Sequence, residues 1–157
     1  MNLSELIKAE WILLEQTAVD QRDLLETMID YLVDSNIVSD SMGLVDLLLH
    51  RESIMTTGIK EGFAVPHAFS NQIQQPVVMF ASLGAGVNWE ALDDQPVQYV
   101  FLMLNAPEQH EIHLQLLAQF SRIMSDPTLI YEMKETKTPE ALIQLIREAE
   151  ERMGGAR

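Results

Sequence analysis

The chain has 157 residues, enough for one domain with a hydrophobic core of its own. Its formal net charge is −14, and a surface this acidic repels nucleic acids and anionic lipids but favours encounters with a basic protein partner. The absence of cysteine excludes disulfides, thiol catalysis and cysteine-based zinc sites, and no apolar run approaches the ~20 residues that cross a bilayer.

The N-terminal third is predicted to form a strand followed by two helices. Residues 11–14 are a short apolar run, typical of a buried strand. Thr17 or Asp20 can cap the first helix, and the second is expected from about Ser41 to Glu52. The apolar residues that recur at helical spacing in the first helix are Leu24, Leu25, Met28, Tyr31 and Leu32. The N-terminus lacks a basic-then-apolar signal pattern, so we expect a cytoplasmic protein without stable membrane insertion.

The middle of the chain changes to strand-forming residues. Residues 63–65 predict a strand that stops at Pro66, because proline lacks the N–H that regular pairing needs. Residues 77–83 and 97–104 are nearly continuously apolar, as are strands that are covered on both faces.

The last third is predicted to be helical. Pro107 suits the first position of a helix over residues 107–125. The pairs Asp126-Pro127 and Thr138-Pro139 each combine a capping residue with a proline and indicate two further helix starts. Together the elements predict one α/β domain, a mixed sheet with helices packed on it, with its core over about residues 3–150 and a frayed tail over 151–157.

Four histidines are the candidates for chemistry, because no phosphate-binding loop, dinucleotide fingerprint, zinc-helix motif or serine elbow is present. His67 follows the strand that ends at Pro66, a placement that holds an imidazole still at the edge of a cleft, as a nucleophile requires. An idle surface-loop histidine is the alternative. His50 and His110 are expected to be surface residues.

Two further residues could bind an anion. His113 lies at the N-terminal end of the apolar stripe of the helix over residues 107–125, where it could donate an N–H to an anion or be a core-edge histidine satisfied by a backbone carbonyl. Arg51 ends the second helix and could either grip phosphate oxygens or be a solvated cation at a helix C-terminus.

Three ordered blocks resemble the fructose, mannitol and nitrogen-type EIIA family of the phosphotransferase system, and the likeness spans nearly the whole chain. The blocks are Leu48-Leu49-His50-Arg51-Glu52, Thr57-Gly58-Ile59 and Gly62-Phe63-Ala64-Val65-Pro66-His67-Ala68; Gly86-Val87-Asn88-Trp89 and Asp94-Gln95-Pro96-Val97; and Ala106-Pro107 with His113-Leu114-Gln115-Leu116-Leu117. The departures are modest: His50 stands where an acidic residue is common, and Phe63 replaces an aliphatic residue.

The resemblance implies a single mixed β-sheet flanked by helices on both faces, and a phosphotransferase component that needs no cofactor or metal. In the family, the residues matching His67, His113 and Arg51 accept the phosphoryl group, stabilise it and bind it, respectively. The implied donor is an HPr-like phosphocarrier, and the implied receiver is an EIIB component. A nitrogen-type regulator, whose phosphorylation controls protein partners without sugar transport, is the alternative.

Two hypotheses of other classes also remain. A metal-dependent hydrolase could begin from His67 and His113, although no third ligand has motif-like spacing. A binding domain that has lost phosphorylation is the other, and the presence of all three phosphate-site residues argues against it.

Overall fold

The computed structural model describes residues 2–154, which form six helices and five strands, each numbered in chain order. The helices are α1 (Leu3–Leu6), α2 (Gln21–Asp34), α3 (Ser41–Ile54), α4 (His110–Met124), α5 (Pro127–Lys134) and α6 (Pro139–Arg152). The strands are β1 (Ile7–Gln16), β2 (Phe63–Ala64), β3 (His67–Phe69), β4 (Val77–Val87) and β5 (Val97–Asn105).

The strands form one mixed sheet in the order β1-β4-β5-β2, with β3 also paired to β5. β4 and β5 are antiparallel, whereas β1 runs parallel to β4, and both β2 and β3 run parallel to β5. The predicted α/β class with a single mixed sheet is therefore confirmed.

Helices cover both faces of the sheet, because the central strands are apolar on both sides. Met79 and Leu102 point into a core shared with α2 and α3. Phe80 and Phe101 point the other way, into a core shared with α4, α5 and α6. Alternation along buried strands thus sends successive side chains into two separate cores.

Capping residues predicted the helix starts correctly, whereas one proline did not. Asp20, Asp126 and Thr138 cap α2, α5 and α6 through side-chain oxygens that accept backbone N–H groups. The predicted start at Pro107 was wrong: residues 107 and 108 form a turn, and α4 begins at His110 with Gln109 as its N-cap. Pro107 therefore belongs to a turn, and the helix begins three residues later than the proline indicated.

Three smaller expectations need correction. Tyr31 is exposed on α2, and Ile29 takes the buried position instead. The short helix α1 was not predicted. Helix α6 runs through Arg152, so residues 151 and 152 of the predicted frayed tail are helical, and residues 155–157 lie outside the described part of the chain. None of the described helices is long and apolar enough to cross a membrane.

Candidate active site

His67 follows the end of β2, as the sequence predicts, and it also begins a second edge strand, β3, which the sequence does not predict. Ala64 pairs with Val100, and His67 pairs with Met103, so the register is unchanged on the two sides of Pro66. Pro66 removes one donor, but its carbonyl still accepts the N–H of Met103 at 3.0 Å. The proline therefore lies between two short strands, and pairing with β5 resumes in the same register at the imidazole.

The ring of His67 is held by its own backbone neighbourhood. Nδ1 lies 2.8 Å from the carbonyl oxygen of Val65. A carbonyl oxygen only accepts, so Nδ1 donates, and in the neutral ring Nε2 keeps its lone pair. The side chain is half-buried, so the ring is held still while it is not sealed in the core.

His113 lies beside His67, although 45 residues separate the two in sequence. Their ring centroids are 5.0 Å apart at a tilt of 44°. His113 is only 3% exposed and lies one turn into α4. Phe69 packs against both His113 and His110, with centroids 4.7 Å apart in each case. The exposed His110 thus stacks on Phe69, the same ring that contacts His113.

A side-chain amide, rather than a backbone carbonyl, satisfies His113. Its Nδ1 lies 2.9 Å from Oδ1 of Asn105, the fully buried last residue of β5. Gln109 accepts the N–H of Ala106 at 2.8 Å and lies 3.5 Å from Nδ2 of Asn105. Since Nδ1 is engaged, only Nε2 of His113 is available to a bound group.

The surroundings of His113 favour its neutral form. Burial, and after it the positive charge possible on His67, on His110 and on Arg51, together lower its pKa from 6.5 to about 4. At neutral pH the ring is therefore uncharged before any anion arrives.

Arg51 completes the cluster from the opposite helix layer. It lies in the last turn of α3, is exposed, and lines a cavity of about 450 Å³ together with His67. The ion pairs described for residues 2–154 involve Arg22 and Lys134, and Arg51 takes part in none of them. Its guanidinium is thus free to bind an anion in the cavity.

Glu52 holds the segment between α3 and the edge strand, a role that sequence reasoning missed. Its carboxylate accepts the backbone N–H of Thr57 at 2.9 Å, the hydroxyl of Thr57, and the indole N–H of Trp89 at 3.0 Å. The carbonyl of Thr57 in turn accepts the N–H of Val65 at 3.1 Å. Val65 holds His67, so these bonds connect α3 to the imidazole. The available signal was that Glu52 and Trp89 stand in two separate signature blocks.

The structure thus brings together His67, His113 and Arg51 from three distant segments at the edge of the sheet where β3 and β5 end. Crevices at the carboxyl ends of strands are the usual ligand sites of α/β sheets. Among residues 2–154, no group of three histidine, aspartate or glutamate side chains could hold a metal ion. The metal-hydrolase hypothesis therefore gains no third ligand there.

Comparison with known proteins gives one family. Residues 5–149 match the family described as phosphoenolpyruvate-dependent sugar phosphotransferase system, EIIA 2. The chain is 29% identical over 150 residues to the fructose-specific EIIA component of Haloferax volcanii, covering 96% of this chain and 97% of that protein.

One further relative and one solved structure extend the comparison. A nitrogen regulatory protein of Pseudomonas aeruginosa is 31% identical over 107 residues, or 68% of this chain and 70% of that protein. The complex of enzyme IIAMTL with phosphorylated enzyme IIBMTL from Escherichia coli contains a chain of the same fold, with a TM-score of 0.74 and 21% identity. That match covers 90% of this chain and 98% of the other.

Proposed function

The chain belongs to the EIIA 2 family of the phosphoenolpyruvate-dependent sugar phosphotransferase system, and from this membership we propose that it is a phosphocarrier that accepts a phosphoryl group on His67. The proposed donor is an HPr-like carrier with a phosphohistidine, and the proposed receiver is an EIIB component. The observation that carries the proposal is the pair of adjacent imidazoles, each with Nδ1 engaged and Nε2 left over.

Nε2 of His67 is the proposed nucleophile. Its lone pair attacks phosphorus in line as the bond from phosphorus to the donor's imidazole nitrogen breaks, and the electron pair of that bond stays on the donor ring. The hydrogen bond from Nδ1 to Val65 keeps the ring in the reactive tautomer. No separate base is needed, because the attacking nitrogen carries no proton.

Arg51 and His113 are proposed to stabilise the transferring group, whose charge spreads over three equatorial oxygens. The guanidinium can offer a fork of donors from the rim of the cavity. His113 is neutral at first and has its Nδ1 engaged by Asn105, so it can donate only after Nε2 gains a proton. An adjacent phosphoryl dianion favours the charged imidazolium and so raises the pKa of His113.

An apolar rim around the cavity suits a protein partner. Ile54 and Met55 line the cavity at the end of α3 and are 71% and 74% exposed. Exposed apolar residues that flank a polar centre are typical of transient protein interfaces. We therefore place the docking surface for the donor and for the receiver at these residues.

The assay is transfer of labelled phosphate from phosphoenolpyruvate through Enzyme I and HPr. Wild type is expected to acquire an acid-labile label, and His67→Ala to acquire none. His113→Ala is expected to retain some acceptance but to pass the group on more slowly, because it keeps the nucleophile. His50→Ala, which alters an exposed histidine of α3, is the matched control. Equal labelling of His67→Ala and wild type would refute the site.

A regulatory role is the second candidate, favoured by the likeness to a nitrogen regulatory protein. In this role the same phosphohistidine sets which protein is bound, and no sugar is moved. Transfer of label to a fructose-type EIIB supports transport. Stable, phosphorylation-dependent capture of a protein that takes up no label supports regulation.

A further inference from the structure

Asn105 is a fully buried amide at the end of β5, and its side chain contacts the ring of His113. Its backbone is fixed as well, because it pairs with Phe69 of β3 and its carbonyl accepts the N–H of Ser70 at 2.9 Å. An enclosed side chain on a paired strand has few rotamers open to it. The amide is therefore held in one place beside the imidazole.

Two backbone groups determine the orientation of a neighbouring amide, that of Gln109. The carbonyl of Gln74 can only accept, so the atom that lies 2.8 Å from it is Nε2 of Gln109. The N–H of Ala106 can only donate, so the atom that lies 2.8 Å from it is Oε1 of the same side chain. A flipped amide would break both hydrogen bonds, so Gln109 has one orientation.

The same reasoning extends to Asn105 and then to His113. Oε1 of Gln109 lies 3.5 Å from the amide of Asn105, and an oxygen on that side favours Nδ2 of Asn105 there. Oδ1 of Asn105 then faces Nδ1 of His113 at 2.9 Å and accepts its N–H. The neutral ring of His113 therefore carries its proton on Nδ1 and a lone pair on Nε2.

The partner of Nδ1 is an amide and carries no charge. Besides burial, the groups that act on the pKa of His113 are His67 on β3, His110 on α4 and Arg51 on α3, and each of them can only be neutral or positive. A carboxylate in the place of Asn105 would favour a charged ring at all times. The amide accepts from Nδ1 in both forms of the ring, so His113 can stay neutral until an anion arrives.

We propose that Asn105 is a positioning residue for phosphoryl acceptance, which keeps Nε2 of His113 unprotonated until the phosphoryl group reaches His67 and then directs a proton from solvent to that atom. The bond from phosphorus to His67 forms as the donor's bond breaks, and the proton that Nε2 binds allows His113 to donate to a phosphoryl oxygen. This role rests on the proposed function, whereas the position of the proton in the unphosphorylated protein does not.

The position of the proton is measured by ¹⁵N NMR of the histidine rings in the full, unphosphorylated chain at neutral pH. His113 is expected as one neutral tautomer with the proton on Nδ1. Asn105→Leu keeps a similar volume but removes the acceptor, so a mixture of both tautomers is expected. A proton on Nε2 in wild type, or an unchanged single tautomer in Asn105→Leu, overturns the assignment.

The positioning role is tested by the pH dependence of kcat/KM for phospho-HPr. In wild type, kcat/KM is expected to fall as pH rises above neutrality, because the proton must come from solvent. Asn105→Asp keeps the acceptor, adds a negative charge and raises the pKa of His113, so the fall should begin about one pH unit higher. Asn36→Asp adds the same charge at an exposed turn and should follow wild type.

Asn105→Leu gives a second kinetic measurement that does not require a buried carboxylate to be accommodated. It is expected to lower kcat/KM about tenfold at neutral pH, because the charged ring would leave a buried N–H without an acceptor. A profile of folded Asn105→Asp that coincides with wild type, or an undiminished kcat/KM in Asn105→Leu, overturns the role. Absence of labelling in wild type instead refutes the proposed function, and with it the role, while the tautomer measured for His113 stands.

Discussion

At the scale of single residues, each of the two imidazoles of the site has its Nδ1 held by a hydrogen bond, but the two partners differ. Val65 engages His67 through a backbone carbonyl, and Asn105 engages His113 through a side-chain amide. Each hydrogen bond determines which nitrogen is left for chemistry. The environments then differ: His67 is half-buried, whereas His113 is buried and has a strongly lowered pKa.

The titration of His113 gives a test of that difference. The imidazole proton signals of His113 in the folded, unphosphorylated protein are expected to titrate with a midpoint near pH 4, because burial disfavours the charged ring. Phosphorylation should raise this midpoint. A midpoint near 6.5 in the unphosphorylated protein would contradict the burial argument.

The same shift predicts a pH dependence of stability. Between pH 6.5 and about 4, the unfolded chain binds a proton at His113 that the folded chain does not, so the free energy of unfolding falls as pH falls through this window. His113→Gln should show a shallower fall between pH 7 and pH 4.5 in urea titrations. Equal slopes for the two proteins would show that His113 does not contribute.

At the scale of elements, the site depends on how α3 is joined to the edge strands. Glu52 binds both Thr57 and Trp89, and Gly58 follows directly, where its carbonyl accepts the N–H of Leu92 at 2.9 Å. The segment after α3 is thus fixed between the edge strand and the loop around residue 90. Since Thr57 also holds Val65, a shift of this segment would move His67.

Gly58→Ala tests this junction. A Cβ atom at position 58 would lie 2.8 Å from Cβ and 2.9 Å from Cα of Ala91, so backbone must move. We expect a loss of about 1–3 kcal/mol in the free energy of unfolding, as for other overpacked sites, measured by urea titration. Phosphoryl acceptance should fall as well.

The control for that substitution is Gly84→Ala. A Cβ atom at position 84 meets no other atom within 4 Å. This variant therefore replaces a strand glycine by alanine without a clash. Equal stability of the two variants would mean that the contact with Ala91 relaxes without cost.

At the scale of the whole molecule, both helical layers contribute to the candidate site. Arg51 comes from the layer of α2 and α3, and His113 comes from α4 on the other face. The edge strand between them carries His67. A partner that reaches the proposed nucleophile is expected to contact the end of α3, which lines the same cavity, and the net charge of −14 favours a basic partner.

Met55→Asp should weaken this docking. A charge in the apolar rim is expected to lower kcat/KM for phospho-HPr about tenfold, mainly through KM, because a buried interface disfavours an unpaired charge. Met42→Asp, at a 70% exposed methionine in the first turn of the same helix, is the matched control. Equal loss in both variants would point to a general charge effect instead of a local contact.

Local patterns in the sequence determined the α/β class, the strands over residues 77–83 and 97–104, and the starts of α2, α5 and α6, because apolar alternation and capping act over a few residues. His67, His113 and Arg51 also follow from the sequence as candidate site residues, through residue order and a family resemblance, and their roles stay predictions. Only the tertiary structure decided that the rings of His67 and His113 lie side by side, that His67 and Arg51 line one cavity, that Asn105 and Glu52 hold the neighbouring segments, and that pairing resumes after Pro66. These features depend on contacts between segments far apart in the chain, and such contacts leave no periodic signal in the sequence.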